Sequence, residues 1–272
     1  MKAALRKILG RCPRLKRVLR KIHDALFAEK SVSSLYEPIT GEHADQEANR
    51  LRTSWQSELL PSRQRELVDR QLAEYRRGKA VDVFDILVQA LQSIYQGSGT
   101  RSLLEVGCSS GFYSEVLKIK QLPFNYSGCD YSPAFIDLGK KRHPEISLSV
   151  QDATTLSFGN GEFDVVVSGC CLLHIPEFEK AIAETARVAK AFAIFHRTPV
   201  VTGLPHQYFR KQAYGVETVE IHFNEAELLE LFARYGLELQ ETFTLSQESD
   251  SNIPGACHYN RTYVCRKTRN AA

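Results

Sequence analysis

Ser102-Leu103-Leu104-Glu105-Val106-Gly107-Cys108-Ser109-Ser110-Gly111-Phe112 decides how this chain is read. SLLEV (102–106) is a short apolar run suited to a buried strand, and GFYSEVLKIK (111–120) opens a helix. The turn between them carries Gly107 and Gly111. Glycines at such a turn let a ligand approach the backbone, and the helix N-terminus beyond offers N–H groups with no intrahelical partner. The turn lacks the Gly-Lys-Ser/Thr ending of a phosphate loop. It also lacks the GxGxxG spacing of a dinucleotide fingerprint, because its two glycines are four positions apart. Alone, the loop does not say what it binds.

Downstream, short apolar runs alternate with helical patterns, which implies βαβ units and a parallel sheet. YSGCD (126–130), SLSVQ (147–151), FDVVVSG (163–169) and AFAIFHR (191–197) read as further strands. SPAFIDLGKKRH (132–143) reads as a helix with Ser132 as its cap and Pro133 at its first position. PEFEKAIAETARVAK (176–190) and NEAELLELFARYG (224–236), capped by Asn224, are the next two helices, and LELQETFTL (237–245) and RTYVCR (261–266) the closing strands. Strand ends then place Asp130, Asp152-Ala153 and Ser168-Gly169 on one carboxyl edge, where open α/β sheets bind ligands. An acid after the second strand suits ribose hydroxyls, and one after the third suits an adenine amino group.

At these residues the chain resembles the class I S-adenosylmethionine-dependent methyltransferases. LLEVGCSSG resembles the first motif of that family, with Ser109 in place of the middle glycine; CDYS resembles the ribose-binding acid motif. QDATTLSF followed by EFDVVVS, LLHIPEFEKAIAETARVAK, and HFNEAELLELFARYG follow in family order over about residues 99–267. The resemblance implies a Rossmann-like α/β fold: a seven-stranded, mostly parallel sheet in the order 3-2-1-4-5-7-6, its seventh strand antiparallel, with helices on both faces. It implies S-adenosyl-L-methionine as cofactor. Glu105 would hold the cofactor's amino group, directly or through water. Gly107, Cys108, Ser109 and Gly111 would line its methionine part, Asp130 would bind ribose, and Tyr131 would pack near the adenine. Asp152 and Ala153 would read adenine, and Ser168 would touch the sulfur side.

The sulfonium brings an activated methyl, so the protein mainly supplies binding and in-line geometry. A hydroxyl acceptor also gains from a general base, and His174, just past the fourth strand, is the catalytic candidate. A role in capping the next loop is the alternative. His196 and Arg197 end the fifth strand and would face substrate, or else form a solvated strand end. The segment 206–215, HQYFRKQAYG, is rich in aromatics and bases and sits where the family places substrate-covering insertions. His206 and Tyr208 are its substrate-contacting candidates; a plain surface helix is the other reading. Cys257, His258 and Cys265 fit no closed zinc site, and no metal is expected.

The chain is 272 residues with 43% hydrophobic and 25% charged residues, ordinary globular composition. Seven cysteines, odd in number and without CxxC spacing, argue for reduced thiols rather than a disulfide framework. The formal charge of +3 hides an asymmetry: residues 1–30 carry ten Lys/Arg against Asp24 and Glu29, a net of +8, leaving −5 for the rest. Leu and Ile recur at helical spacing in this basic amphipathic segment, with Pro13 as a break. It would bind an anionic membrane surface, dock on its own domain, or serve as a transit peptide. Residues 31–98 read as a lead-in, loop-rich to about 60 and helical beyond, ahead of a cofactor-binding domain at 99–272. The expected location is the cytoplasm, with the inner face of a membrane as the docking option.

The leading reading is a methyltransferase acting on a small-molecule, glycan or lipid-linked acceptor. A nucleic-acid substrate is disfavoured by the acidic body and by the absence of an Asn/Asp-Pro-Pro-Tyr motif. Two alternatives stand beside it: a non-catalytic methyltransferase-like binding subunit, and an NAD(P)-dependent oxidoreductase using Asp130 for ribose. The sequence is silent on oligomeric state.

Overall fold

The computed structural model describes residues 33–268 except 42, 96, 98, 251, 252 and 254. The basic segment 1–30 lies outside the described residues.

The glycine-loop strand, β2 (Arg101–Val106), lies inside the sheet, third from one edge. It pairs in parallel with β3 (Phe124–Asp130) on one side and β5 (Phe163–Gly169) on the other. Beyond β3 lies β4 (Ser147–Val150), parallel, and beyond β5 lies β6 (Ala189–Thr202), also parallel. On the far edge of β6 runs β10 (Cys257–Lys267), antiparallel, and outside it β9 (Leu237–Ser249). The central strands are buried on both faces. Leu103, Val165, Val167, Ile194 and Val264 point to one side, Leu104, Val166, Ala193, Phe195 and Cys265 to the other. That period-two split explains why these runs read as nearly continuous apolar stretches.

Helices cover both faces. On one lie α2 (Leu60–Arg76), α3 (Asp82–Ile94) and α4 (Tyr113–Ile119). On the other lie α1 (Ala44–Arg52), α6 (Phe178–Val188) and α7 (Glu225–Arg234). The helix α5 (Pro133–Arg142) packs Ile136 on Leu148 and Cys108. Asn224 caps α7 as its position suggests, its Oδ1 accepting from Glu227 N–H at 3.0 Å. Ser132 does not cap α5 with its side chain; instead its N–H donates to Asp130 Oδ1 at 2.9 Å.

The α/β class with helices on both faces holds, but the seven-strand count does not: among the described residues ten strands share the sheet. The cause is the length of β6, which runs on well past the end of β5. Its freed edge is taken by β8 (Val216–Asn224), paired at Val200–Val201 with Phe223–Asn224. Antiparallel to β8 lies β7 (Gln207–Ala213), and outside that β1 (Ser33–Pro38). Segment 206–215 is therefore a strand and turn of a hairpin, not a surface helix. The lead-in is also corrected: residues 31–60 contain a strand and a helix rather than loops, and β1 completes the added strands. Among the described residues no helix is long and apolar enough to cross a membrane.

Candidate active site

At the carboxyl ends of β2, β3, β5 and β6 the sheet opens on a cavity of about 310 Å³, roofed by α2 and the strands β1, β7 and β8. The glycine loop forms its floor. Gly107 has φ +76, and a Cβ there would stand 2.3 Å from the Cβ of Cys171. Gly111 has φ +73 and abuts Ile146 and Leu148. Both glycines are demanded by packing inside the protein as well as by conformation. Ser109 also takes the left-handed conformation, φ 52, rare for a residue with a side chain. Two bonds hold it: its N–H donates to Asp130 Oδ2 at 2.8 Å, and its hydroxyl accepts from Gln64 Nε2 at 3.2 Å. Asp130 thus receives one backbone N–H on each oxygen, while burial pushes its carboxyl up to about 6.

The cavity wall brings together Gly107, Ser109, Asp130, Tyr131, Ala153, His174 and Arg197 from the residues singled out in sequence. His174 Nδ1 lies 2.6 Å from the Val219 carbonyl oxygen. A carbonyl only accepts, so Nδ1 carries the proton and Nε2 keeps its lone pair. Burial pushes the imidazole down to about 3, so it is neutral. Trp55, the single tryptophan of the chain, packs on its ring at 4.4 Å.

Residues 104–195 match the family model described as "Methyltransferase domain". Over that stretch the chain is similar to a methyltransferase domain. Within the curated proteins, the phthiotriol/phenolphthiotriol dimycocerosates methyltransferase of Mycobacterium leprae is 39% identical over 98 residues, 34% of this chain and 35% of that protein. The demethylmenaquinone methyltransferase of Streptomyces avermitilis is 36% identical over 74 residues, 25% of this chain and 32% of that protein. The match to this chain spans about a third of the length of such relatives. Among solved structures, the 1,6-didemethyltoxoflavin-N1-methyltransferase of Burkholderia thailandensis, bound to 1,6-didemethyltoxoflavin and S-adenosylhomocysteine, superposes with a TM-score of 0.54 at 14% identity. That alignment covers 86% of this chain and 95% of the other, so the shared fold extends well beyond the motifs.

The fold does not bring every expected residue to the cavity wall. Glu105 is 2% exposed, takes a hydrogen bond from the Tyr126 hydroxyl beneath the loop, and is pushed by burial up to about 8. Cys108 and Gly111 face the α5 side. Ser168 is buried, its hydroxyl 3.3 Å from Cys171 Sγ. Asp152 stands behind Ala153: Oδ1 takes Thr154 and both oxygens take Arg52, at 2.6 and 2.7 Å. Burial would raise the Asp152 carboxyl, but Thr154 and Arg52 hold it below the usual carboxylate range. His196 is 1% exposed, between the Tyr113 hydroxyl and Thr262, each at 3.0 Å, and does not line the cavity. His206 does not line the cavity either; its Nδ1 accepts from Asn224 N–H at 2.7 Å, bracing the start of α7. On β7, Lys211 and Ala213 face the cavity, so Tyr208, of the opposite parity, packs on the other core.

Sequence reasoning missed the lead-in's share of the candidate site. Ser33, Tyr36, Arg52, Trp55 and Gln64 all reach the wall. Arg52 also lies over the Tyr131 ring at 5.0 Å. Only Trp55 carried a signal, as the one tryptophan. Lys211, Glu220 and Asn260 complete the lining.

Proposed function

We propose that this protein transfers a methyl group from S-adenosylmethionine to a small-molecule, glycan or lipid-linked acceptor. The observation that carries the reading is the convergence of the Gly107–Ser109 turn, Asp130, Tyr131 and Ala153 on one cavity at the carboxyl edge of the sheet. The donor set fits the cofactor. Asp130 has a second lone pair on each oxygen for ribose hydroxyls, beyond its two backbone bonds. Tyr131 offers an aromatic face. Asp152 Oδ2, engaged only by Arg52, retains accepting capacity for an amino group. Gln64 Oε1 is buried beside Ser109 with no hydrogen-bond partner, a place for an ammonium donor. When bound, S-adenosylmethionine supplies a methyl already activated by its positive sulfur.

The chain's own residues then position the acceptor and exclude water. His174 presents a neutral Nε2 at the wall, fixed by Val219 and the Trp55 ring, and serves as hydrogen-bond acceptor to an incoming hydroxyl or amine. Lipid and small-molecule acceptors are favoured by the names of the relatives, which act on a dimycocerosate lipid and a menaquinone precursor. The test is transfer of a labelled methyl from S-adenosylmethionine to fractionated lysate that includes the lipid-linked pool. Label entering one fraction with wild type and not with Asp130→Ala supports the reading. Equal labelling by both proteins contradicts it.

A further inference from the structure

Arg197 departs from the pattern of the other charges on the cavity wall. Arg52 is paired with Asp152 and Glu177, Lys211 with Glu220, and Asp130 with two backbone N–H groups. Among the described residues no carboxylate forms an ion pair with Arg197; its titratable neighbours are the Tyr113 and Tyr214 phenols and the Cys170 thiol. Its Nε is buried without a hydrogen-bond partner. Asn260 Oδ1, on the same wall, is buried and unpartnered too.

This placement is built into the backbone. The register between β6 and β10 slips between Arg261 and Tyr263, which pair with Thr198 and Phe195. His196 and Arg197 therefore stand together opposite Thr262, a β-bulge, and Arg197 holds the left-handed φ of 56. The Thr262 hydroxyl clamps the pair, bonding His196 Nδ1 at 3.0 Å and accepting from Arg197 N–H at 3.2 Å. A bulge re-aims a side chain, and here it turns Arg197 out of the strand's alternation and into the cavity. A cation held against apolar and phenolic walls without a counter-charge is unfavourable unless a ligand brings an anion. A guanidinium suits carboxylate or phosphate oxygens in particular.

We propose that Arg197 is the receptor for an anionic group, a carboxylate or a phosphate, carried by the methyl acceptor. The acceptor is then an acid rather than a neutral molecule. This rests on the methyltransferase reading above. Arg197 and Asn260 come from β6 and β10, across β5 from the ends of β2, β3 and β4 that present the cofactor candidates. The anion it meets therefore belongs to the acceptor and not to the methionine carboxylate of the cofactor.

The experiment uses the full chain, with S-adenosylhomocysteine as cofactor probe and inorganic phosphate as anion probe. Calorimetry gives cofactor-product affinity for wild type, Arg197→Gln and the charge-keeping Arg197→Lys. Melting temperature of each product-saturated protein is then followed against phosphate at constant ionic strength. The expected result is a saturable rise in wild type, a smaller one in Arg197→Lys and none in Arg197→Gln, with product affinity changed by less than about threefold. Phosphate that stabilises Arg197→Gln as much as wild type, or leaves wild type unmoved, overturns the proposal. A loss of product affinity of more than about tenfold in Arg197→Gln, with phosphate competing against the product, assigns the guanidinium to the cofactor carboxylate instead. Wild type that binds no product overturns the underlying methyltransferase reading, a failure seen before any phosphate is added.

Discussion

Ser109 shows how a residue that looks like a departure can keep the shape of its motif. A glycine would take φ 52 freely; serine takes it because Asp130 binds its N–H and Gln64 its hydroxyl. The strain is held by partners from another strand and from the lead-in, so neither was visible in the motif. Glu105 is the opposite case. Its position marked it as a ligand for the cofactor, yet the structure buries it under the loop with Tyr126. Strand alternation told which face it shares, not how deep it lies. Its carboxyl, pushed up to about 8 by burial, binds a proton in the folded protein that an unfolded chain releases near 4.5. Glu105 therefore contributes full stability below about pH 4.5 and loses it as pH rises through 8. Glu105→Gln, neutral throughout, is expected to gain melting temperature relative to wild type across that window and to hold the gain above it. A difference that stays flat from pH 4.5 to 8.5 in thermal denaturation would sink this.

The added strands β1, β7 and β8 are tied together by a buried polar cluster. Lys211 on β7 is paired with Glu220 on β8 and donates to the Ser33 hydroxyl on β1 at 3.0 Å. Tyr36 on β1 donates to Glu220 at 3.2 Å, and His222 lies 2.9 Å from it. Lys211 and Glu220 are 5% and 7% exposed, so removing one partner strands a buried charge. Lys211→Met is expected to cost about 3–5 kcal/mol in urea denaturation, with much of that recovered in the Lys211→Met/Glu220→Gln double variant. A double variant as unstable as the single would refute a charge origin. The composition of 206–215 made this segment conspicuous, but aromatics and bases on both parities fit a two-faced strand as well as a helix. What decides is β6 outrunning β5, a tertiary fact.

For the whole molecule, the alternation of strands and helices from 102 onward was legible because parallel strands must be apolar on both faces and helices must cover them. The contribution of residues 33–95 was not, because it depends on long-range contact: Arg52 meets Asp152 and Gln64 meets Ser109 across the chain. The lead-in is thus part of the site's wall rather than a separate preface. The account stands on one cavity holding S-adenosylmethionine through Asp130. Isothermal titration of S-adenosylmethionine into wild type and Asp130→Ala, both shown folded by thermal denaturation, tests it most directly. Wild type is expected to bind at one site and Asp130→Ala to lose about 2 kcal/mol or more, roughly thirtyfold, as two ribose hydrogen bonds to a charged acceptor are removed. Equal affinity in the two proteins, or no binding by wild type, would contradict the account.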